Sequence, residues 1–218
     1  FNTEEYLNVY QHHNESDAEE HVKLILENIN LSSGAKILDM ACGAGRHAII
    51  FARKNFDVTA VDLSESLLAI AKKNADDENL KINFVHSDIR NFKSDDKFNL
   101  VLNLFTSFGY FESDEENFAV LQKAYDLLVN DGFFVLDFFN SYFLQQNLVE
   151  SSEENLGEVK IHQFRKIKEN RVTKKIVITK NGGLSQFEES VRMFTKDELV
   201  NAIQNIGFDI YKTFGDFL

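Results

Sequence analysis

Residues 36–48 read KILDMACGAGRHA, and this stretch decides the fold. Its first five residues, 36–40, have the apolar composition of a short buried strand, and a helical pattern begins near Arg46. The small residues between them, 41–45, include two glycines, which have no Cβ atom and tolerate positive φ. Because a helix N-terminus also presents free N–H groups, the stretch predicts a loop that holds a nucleotide-like ligand.

Helical and apolar strand patterns alternate on both sides of this loop. Helices are predicted over 17–30, from the loop to about Lys54, from a Ser64 cap to Asn74, and from a Ser113 cap to Val129. Further strands are predicted over 57–62, 81–86, 98–104 and 133–139, the last after a turn at 130–132. Such alternation requires right-handed crossovers. It therefore predicts an α/β fold with a doubly wound, Rossmann-like, mostly parallel sheet.

The pattern changes after Asn140. A short helix over 141–150 precedes three alternating stretches, 157–167, 171–179 and 184–194, with turn signals at Glu169-Asn170 and Asn181-Gly183 between them. We predict an antiparallel three-stranded insertion after strand five. Eight basic residues against two acidic ones between 158 and 180 indicate a solvated sheet face, with an anion-binding or protein-docking face as the alternative.

The chain is predicted to be one domain of four segments. These are an N-terminal flap and helix (1–30), a ligand-binding core (31–140), the helix with its insertion or lid (141–194), and a last helix and strand (195–218). The last helix runs from the Thr195 capping box to Gly207, and a sixth strand is predicted over 208–214. A final strand beside strand five has no sequence here, and we expect it to be truncated or disordered.

Composition excludes several classes of protein. A formal net charge of −12 disfavours nucleic acid as the main partner. One cysteine excludes a disulfide framework, and no His/Cys/Asp cluster has metal-ligand spacing, so no metal site is predicted. There is no apolar run of membrane-spanning length and no signal-like start, so we expect a cytoplasmic protein, as monomer or homodimer.

Three acids end successive predicted strands: Asp39, Asp62 and Asp88. In an open α/β sheet, ligands bind at the carboxyl ends of the strands. Asp62 lies 19 residues after Gly43, where a carboxylate accepts from ribose hydroxyls, and Asp88 could accept from an adenine amino group.

Two classes of nucleotide ligand fit the glycine loop. GAGRHA at 43–48 matches the dinucleotide fingerprint G-x-G-x-x-G/A. However, Asp39 would lie near a pyrophosphate's negative charge, and an acid suits a ligand with a sulfonium and an ammonium group instead. A helix also precedes the first strand, whereas dinucleotide domains commonly open on the strand.

The motifs ILDMACGAGRHAI, VDLSESLLAIAKK, HSDIRNF and NLVLNLFTSFGYF resemble the class I S-adenosylmethionine-dependent methyltransferase superfamily. The resemblance covers residues 37–139. More narrowly, TSFGYF, the antiparallel insertion and VRMFTKDELVNAIQNIGF resemble small-molecule N-methyltransferases, such as those acting on amino sugars and on glycine or sarcosine.

The resemblance implies S-adenosylmethionine as cofactor, S-adenosylhomocysteine as product, and a role for each matching residue. Asp39, Ala41, Gly43 and Gly45 would hold the methionine end. Asp62 would bind the ribose and Leu63 the adenine, while Asp88 and Ile89 would contact the adenine edge and face. Leu104 and Phe105 would lie beside the sulfonium and the acceptor, and Tyr10, with Tyr6, would belong to the flap.

The acceptor is expected to be a small molecule, with an amine preferred. Tyr110 is the first candidate to orient or deprotonate it, because Tyr110 follows the loop after strand four. Tyr10, His12 and His13 are further candidates. Arg192 could pair with an acceptor carboxylate or form a structural ion pair. The alternatives are a non-catalytic nucleotide-binding or partner-docking module using the basic insertion, and an NAD(P)-dependent oxidoreductase.

Overall fold

A computed structural model describes residues 15–215. Its helices are α1 (Glu15–Asn28), α2 (Arg46–Arg53), α3 (Glu65–Asp77), α4 (Asp114–Leu127), α5 (Ser141–Gln146) and α6 (Lys196–Ile206). Its strands are β1 (Lys36–Met40), β2 (Asp57–Asp62), β3 (Ile82–His86), β4 (Phe98–Asn103), β5 (Leu128–Leu136), β6 (Ser151–Leu156), β7 (Val159–Lys168), β8 (Arg171–Lys180) and β9 (Gly183–Arg192).

The first sheet has the order β3-β2-β1-β4-β5, and all of its strand pairs are parallel. Its central strands are buried on both faces. In β1, Ile37 packs on the side of α1 and α2, whereas Leu38 packs on the side of α4 and α6. In β4, Leu100 likewise packs on the side of α1 and α2, and Val101 packs on the side of α4 and α6. The doubly wound α/β sheet predicted from the sequence is thereby confirmed.

Strand β5 begins earlier than predicted. Phe98 pairs with Leu128, but Leu100 pairs with Phe133, so residues 129–132 bulge out of the ladder. Asp131 has a φ of 61° inside this bulge. The turn expected at 130–132 is therefore an interruption within one strand, and the strand ends at Leu136 rather than at 139.

The second sheet is antiparallel and has four strands, β6-β7-β8-β9, rather than the predicted three. The additional strand β6 reads SSEENL and lacks apolar alternation, so its pattern gave no signal. It forms because it pairs with β7 over its whole length. The second sheet meets the first at the loop after β4, where the Arg192 backbone N–H donates to the Gly109 carbonyl at 2.8 Å.

The predicted sixth strand over 208–214 is wrong, because the structure has no strand there. Phe208 stacks on Phe134, and Tyr211 meets the edge of the Phe133 ring. Phe133 and Phe134 point to opposite faces of the sheet. The segment therefore crosses the edge of β5 from one face to the other and cannot form a ladder along it.

Beside this segment, a groove of about 1760 Å³ lies between α1, β5 and α6, and Leu104 is among the residues that line it. In the part of the chain from 15 to 215, no helix is long and apolar enough to cross a membrane.

Candidate active site

The glycine loop joins β1 to α2 through backbone in the left-handed region. The φ values are 58° at Ala41, 57° at Gly43 and 77° at Gly45. A Cβ atom on Gly45 would lie 2.8 Å from the Cβ of Ala71 in α3, whereas one on Gly43 would meet no atom within 4 Å. Gly45 is therefore needed for helix packing, and Gly43 leaves open space for a ligand against the backbone.

Asp62 borders this open space at the end of β2. Its carboxylate accepts the backbone N–H of Gly43 at 2.7 Å and that of Ser64 at 2.8 Å. Burial raises its pKa, although these hydrogen bonds oppose the change. A carboxylate offers about four lone-pair sites, so Asp62 can still accept from ligand hydroxyls. The next side chain, Leu63, is 64% exposed and offers an apolar surface beside them.

Asp39 is the most unusual acid in the site. It is only 2% exposed, and one of its oxygens, Oδ2, has no hydrogen-bond partner among residues 15–215. Burial raises its pKa to about 7, and the charge of Asp62 adds to this, while the backbone N–H of Ala48 and the charge of Arg46 oppose it. A buried carboxylate oxygen without a partner costs folding free energy, so a cationic ligand group would bind favourably there.

Asp88 lies at the predicted place after β3, but its carboxylate is held by a neighbour. Arg90 donates to both of its oxygens, at 3.1 Å from Nε to Oδ1 and 2.6 Å from Nη2 to Oδ2. This guanidinium lowers the pKa of Asp88. Arg90 also lies 3.9 Å from the centre of the Phe111 ring. Asp88 can therefore accept from a ligand only with the lone pairs that Arg90 leaves.

The loop after β4 carries strained backbone beside the glycine loop. Phe105 and Thr106 have φ values of 59° and 54°, a conformation that costs a non-glycine residue about 1–3 kcal/mol. The Asp137 carboxylate accepts the backbone N–H of Phe105 at 2.9 Å. The Arg46 guanidinium lies 4.8 Å from the Phe105 ring centre, which ties this loop to the start of α2.

Tyr110 faces the second sheet. Burial raises the pKa of its hydroxyl, and the charge of Glu189 in β9 raises it further. The phenol therefore stays protonated and is suited to donate a hydrogen bond rather than to remove a proton.

Arg192 makes the contacts expected of a structural ion pair. Its guanidinium binds Asp114 at 3.2 Å and Glu198 at 3.0 Å and donates to the Met193 carbonyl at 2.8 Å. It thus joins the end of β9 to the starts of α4 and α6.

Two buried histidines were not predicted as part of the site. His21 in α1 and His47 in α2 approach to 3.4 Å between ring nitrogens. Burial lowers the pKa of His47 to about 3, and His21 and Arg46 lower it further, so His47 is neutral at physiological pH. The pair fixes α1 against the helix that follows the glycine loop. His47 lies in the glycine motif, but nothing in the sequence indicated its partner.

Ten predicted residues lie at the ends of β1 to β4 or in the loops that follow them, at this edge of the sheet. They are Asp39, Ala41, Gly43, Gly45, Asp62, Leu63, Asp88, Ile89, Leu104 and Phe105, and Ile89 and Leu104 among them are buried apolar residues. Tyr10, and with it Tyr6, His12, His13 and the flap, lies outside the described residues. Within 15–215, no group of three or more His, Cys, Asp or Glu residues could hold a metal ion.

Comparison with known proteins agrees with this geometry. Residues 37–132 match the family model described as a methyltransferase domain. A glycine/sarcosine N-methyltransferase from Aphanothece halophytica is 30% identical over 215 residues, covering 93% of this chain and 75% of the relative. A putative methyltransferase from Geobacillus sp. (strain WCH70) is 31% identical over 131 residues, but the match spans 58% of this chain and 53% of the relative.

Among solved structures, an S-adenosylmethionine-dependent methyltransferase from Clostridium acetobutylicum superposes with a TM-score of 0.82 at 21% identity. The match covers 95% of this chain and 88% of that one. The fold and the glycine loop are thus those of a methyltransferase. The chain belongs to the class I S-adenosylmethionine-dependent methyltransferases and resembles their amine N-methyltransferases.

The residues of the site fit S-adenosylmethionine, the cofactor of this enzyme. The buried Oδ2 of Asp39 matches a ligand ammonium, and the space at Gly43 admits a ligand against the backbone. An acid at this place would repel a pyrophosphate, which argues against the dinucleotide alternative.

Proposed function

We propose that this enzyme methylates a small-molecule amine by in-line displacement. The observation that carries the proposal is the juxtaposition of Tyr110, at the loop after β4, with the buried carboxylate of Glu189 on the second sheet. A buried acid beside a protonated phenol suits an acceptor that arrives as an ammonium ion. The name of the Aphanothece relative, a glycine/sarcosine N-methyltransferase, agrees with an amine acceptor.

In this proposal the glycine loop and the neighbouring strand ends hold the donor. Asp39 would accept from its ammonium group, and the backbone at Ala41, Gly43 and Gly45 would hold its methionine end. Asp62 would accept from the ribose hydroxyls. Leu63 and Ile89 would hold the adenine and Asp88 would accept from its amino group, with Tyr10 as a further candidate for holding the cofactor.

When bound, S-adenosylmethionine supplies a methyl group that is already activated for transfer, so the chain mainly has to align the reactants. Leu104 and Phe105 would exclude water on the donor side, and the hydrogen bond from Phe105 to Asp137 holds that wall in place. Tyr110 would donate to the acceptor and fix its direction. Such positioning can supply roughly 7–11 kcal/mol of the barrier.

The acceptor amine must be neutral when it reacts, because the attacking nitrogen needs a lone pair. The raised pKa of Tyr110 makes it a poor base for this proton. Glu189 would hold the arriving ammonium, and its proton would leave to solvent before transfer.

Titration calorimetry with S-adenosylhomocysteine tests the donor site. We expect saturable binding by the wild type and at least about tenfold weaker binding by Asp62→Ala, because a hydrogen bond with a charged group contributes about 1.5–3 kcal/mol. Asp57→Ala, an exposed acid at the other end of β2, is the matched control and should bind normally. Absence of heat with this ligand, together with saturable binding of NADH, would refute the donor assignment.

Turnover of S-adenosylmethionine with a panel of amines tests the acceptor. Methylated amine in the product, detected by mass spectrometry, is the expected result. Binding of the donor without methylation of any panel member would instead favour a non-catalytic nucleotide-binding or docking module.

A further inference from the structure

The amino-acid end of S-adenosylmethionine carries two opposite charges, an ammonium and a carboxylate on the same carbon atom. Asp39 accounts only for the ammonium. The carboxylate of the donor would come close to two buried acids, Asp39 and Asp62, and the charge of Asp62 already raises the pKa of Asp39. Because like charges repel, a carboxylate at this place needs a cation beside it.

Arg46 is a cation at this place. It is the first residue of α2 and directly follows Gly45 of the glycine loop. Burial lowers the pKa of Arg46, and the charges of Asp17 and Asp39 oppose this. The charge of Arg46 in turn lowers the pKa of Asp39. The guanidinium and the buried carboxylate therefore act on each other through their charges.

This attraction does not use up the acceptor that Asp39 offers. Its Oδ2 atom has no hydrogen-bond partner within residues 15–215, so Arg46 does not donate to it. A guanidinium has five N–H donors in a planar fork that matches a carboxylate, so Arg46 can bind a carboxylate besides its other contacts. An acid with an open acceptor next to a guanidinium is complementary to the two charges of an α-amino acid.

The contact of Arg46 with Phe105 places the guanidinium near the expected position of the sulfur. The Arg46 guanidinium carbon, Cζ, lies 4.8 Å from the centre of the Phe105 ring. The resemblance to methyltransferases implies that Phe105 lies beside the sulfonium. Only a short carbon chain separates the sulfur of the donor from its carboxylate. A side chain that acts on Asp39 and contacts Phe105 is thus well placed for this end of the donor.

The start of α2 favours a carboxylate as well. Its N-cap residue, Gly45, makes no side-chain hydrogen bond to the first turn, and this turn contains no acidic residue. The N–H groups of a helix N-terminus carry partial positive charge, which adds to the charge of Arg46.

We infer that Arg46 binds the carboxylate of S-adenosylmethionine while Asp39 binds its ammonium, so that the two side chains select a donor with an intact α-amino acid. The inference rests on the proposed function of Asp39 and adds Arg46 as a residue that determines donor specificity. A donor without the carboxylate gives Arg46 nothing to bind and should have a lower affinity.

The first test compares three ligands on the wild type. S-adenosylhomocysteine, its decarboxylated analogue and its deaminated analogue are titrated by calorimetry. We expect S-adenosylhomocysteine to bind at least about tenfold more tightly than either analogue, because each analogue lacks one charged hydrogen-bonding group. Equal affinities for S-adenosylhomocysteine and the decarboxylated analogue overturn the inference, and this comparison does not depend on the folding of a variant.

The second test changes the guanidinium. Arg46→Met should weaken the binding of S-adenosylhomocysteine and of the deaminated analogue at least about tenfold, and should bind the decarboxylated analogue within twofold of the wild type. Arg46→Lys keeps the positive charge but not the planar fork, so it should recover part of the lost affinity. Arg46→Lys also serves as the second variant in case Arg46→Met fails to fold. Equal weakening of all three ligands by Arg46→Lys overturns the inference, because Arg46 would then act through packing alone.

Arg53→Met is the matched control. It makes the same change at the last residue of α2, where the guanidinium pairs with Glu78 at the surface. This variant should bind all three ligands as the wild type does.

Asp39→Asn separates the inference from the proposed function. It should weaken the binding of S-adenosylhomocysteine and of the decarboxylated analogue, but not that of the deaminated analogue. If the wild type binds none of the three ligands, the proposed donor site fails and the inference fails with it. If Asp39→Asn behaves as expected and Arg46→Met loses no affinity for S-adenosylhomocysteine, only the inference is overturned. If Arg46→Met discriminates between the analogues and Asp39→Asn does not, the proposed role of Asp39 fails and carboxylate binding by Arg46 stands.

Discussion

Replacement of Asp39 by asparagine should change stability and cofactor affinity in opposite directions. The substitution is isosteric, and the asparagine oxygen can still accept the backbone N–H of Ala48. It removes the negative charge, whose burial is the largest cause of the raised pKa of Asp39, and places an amide NH2 group where one carboxylate oxygen lies. The charge should therefore destabilise the cofactor-free protein and, under the proposed function, stabilise the bound one.

The effect on stability follows from the pKa. Asp39 has a pKa of about 7 in the folded protein, against an ordinary value of 3.8 for an aspartate in water. Between these values the folded state binds more protons than the unfolded state, so the Asp39 contribution to stability falls as the pH rises through this window. The difference of about three pKa units, at about 1.4 kcal/mol each, corresponds to about 4 kcal/mol. Asp39→Asn should regain up to that amount at pH 8 and nothing at pH 3.

The effect on binding follows from the ligand ammonium. Loss of a hydrogen bond between two charged groups should weaken S-adenosylhomocysteine binding about 10- to 100-fold at pH 7. In the wild type, affinity should rise with pH up to about 7, as Asp39 ionises. It should fall again above about pH 8, where an α-amino group loses its proton. The rising limb should be absent in Asp39→Asn.

Urea denaturation at pH 4 and 8, with calorimetric titration between pH 5 and 9, measures both quantities. Asp57→Asn makes the same chemical change on an exposed side chain and should leave both unchanged. If Asp39→Asn is no more stable than the wild type at pH 8, or binds S-adenosylhomocysteine equally well, the argument from the buried charge is refuted.

Four further substitutions separate packing from ligand contact. Gly45→Ala should lower the free energy of unfolding by about 1–3 kcal/mol, because the added methyl group would meet Ala71. Gly43→Ala should lower it by only about 1–2 kcal/mol, because of its left-handed φ, but should weaken S-adenosylhomocysteine binding more than Gly45→Ala does. The reverse order of the two variants in either assay would contradict the geometry. Tyr110→Phe should lower kcat/KM for the acceptor about tenfold and leave the dissociation constant of S-adenosylhomocysteine unchanged. The pH profile of kcat/KM should also stay unchanged, because the phenol does not ionise. Loss of the basic limb of this pH profile in Tyr110→Phe would show that the phenol does ionise. Arg192→Met should lower the free energy of unfolding by about 1–3 kcal/mol, because it removes the contacts with Asp114 and Glu198, and should leave the KM of the acceptor unchanged. A raised KM without a loss of stability would instead indicate that Arg192 binds an acceptor carboxylate.

The parallel sheet was predictable because buried strands between amphipathic helices have a strong periodic signal. The three acids at strand ends followed from the same pattern, since parallel strands end at one edge. Three features were not predictable, namely the bulge in β5, the strand β6 and the course of residues 208–215. Each depends on a partner distant in sequence, such as β7 for the polar strand β6 or the Phe133 and Phe134 rings for Tyr211 and Phe208.

The strand register of the second sheet was within reach of the sequence. Glu169 and Asn170 both have positive φ, as do Asn181 and Gly182, so each pair forms a two-residue hairpin turn of the primed kind. Counting back from these two turns places Arg165 opposite Lys174 and Lys174 opposite Glu189. The engagement of Asp88 by Arg90 was not accessible in this way, because it depends on a side-chain rotamer.

The second sheet is attached to the loop after β4 through two arginines, Arg171 and Arg192, and this attachment affects how acceptor specificity can change among relatives. Besides the backbone contact of Arg192 with Gly109, the Arg171 guanidinium donates to the Phe111 carbonyl at 3.0 Å. These contacts lie at one end of the second sheet, whereas the residues proposed to bind the donor belong to the first sheet and its loops. The second sheet could thus be exchanged as a unit between relatives. Such an exchange would change the acceptor preference without changing the binding of the donor. A second sheet from a relative should pack on this first sheet if it keeps Arg171 and Arg192. These two arginines are therefore the best boundaries for a library of variants that alters acceptor specificity.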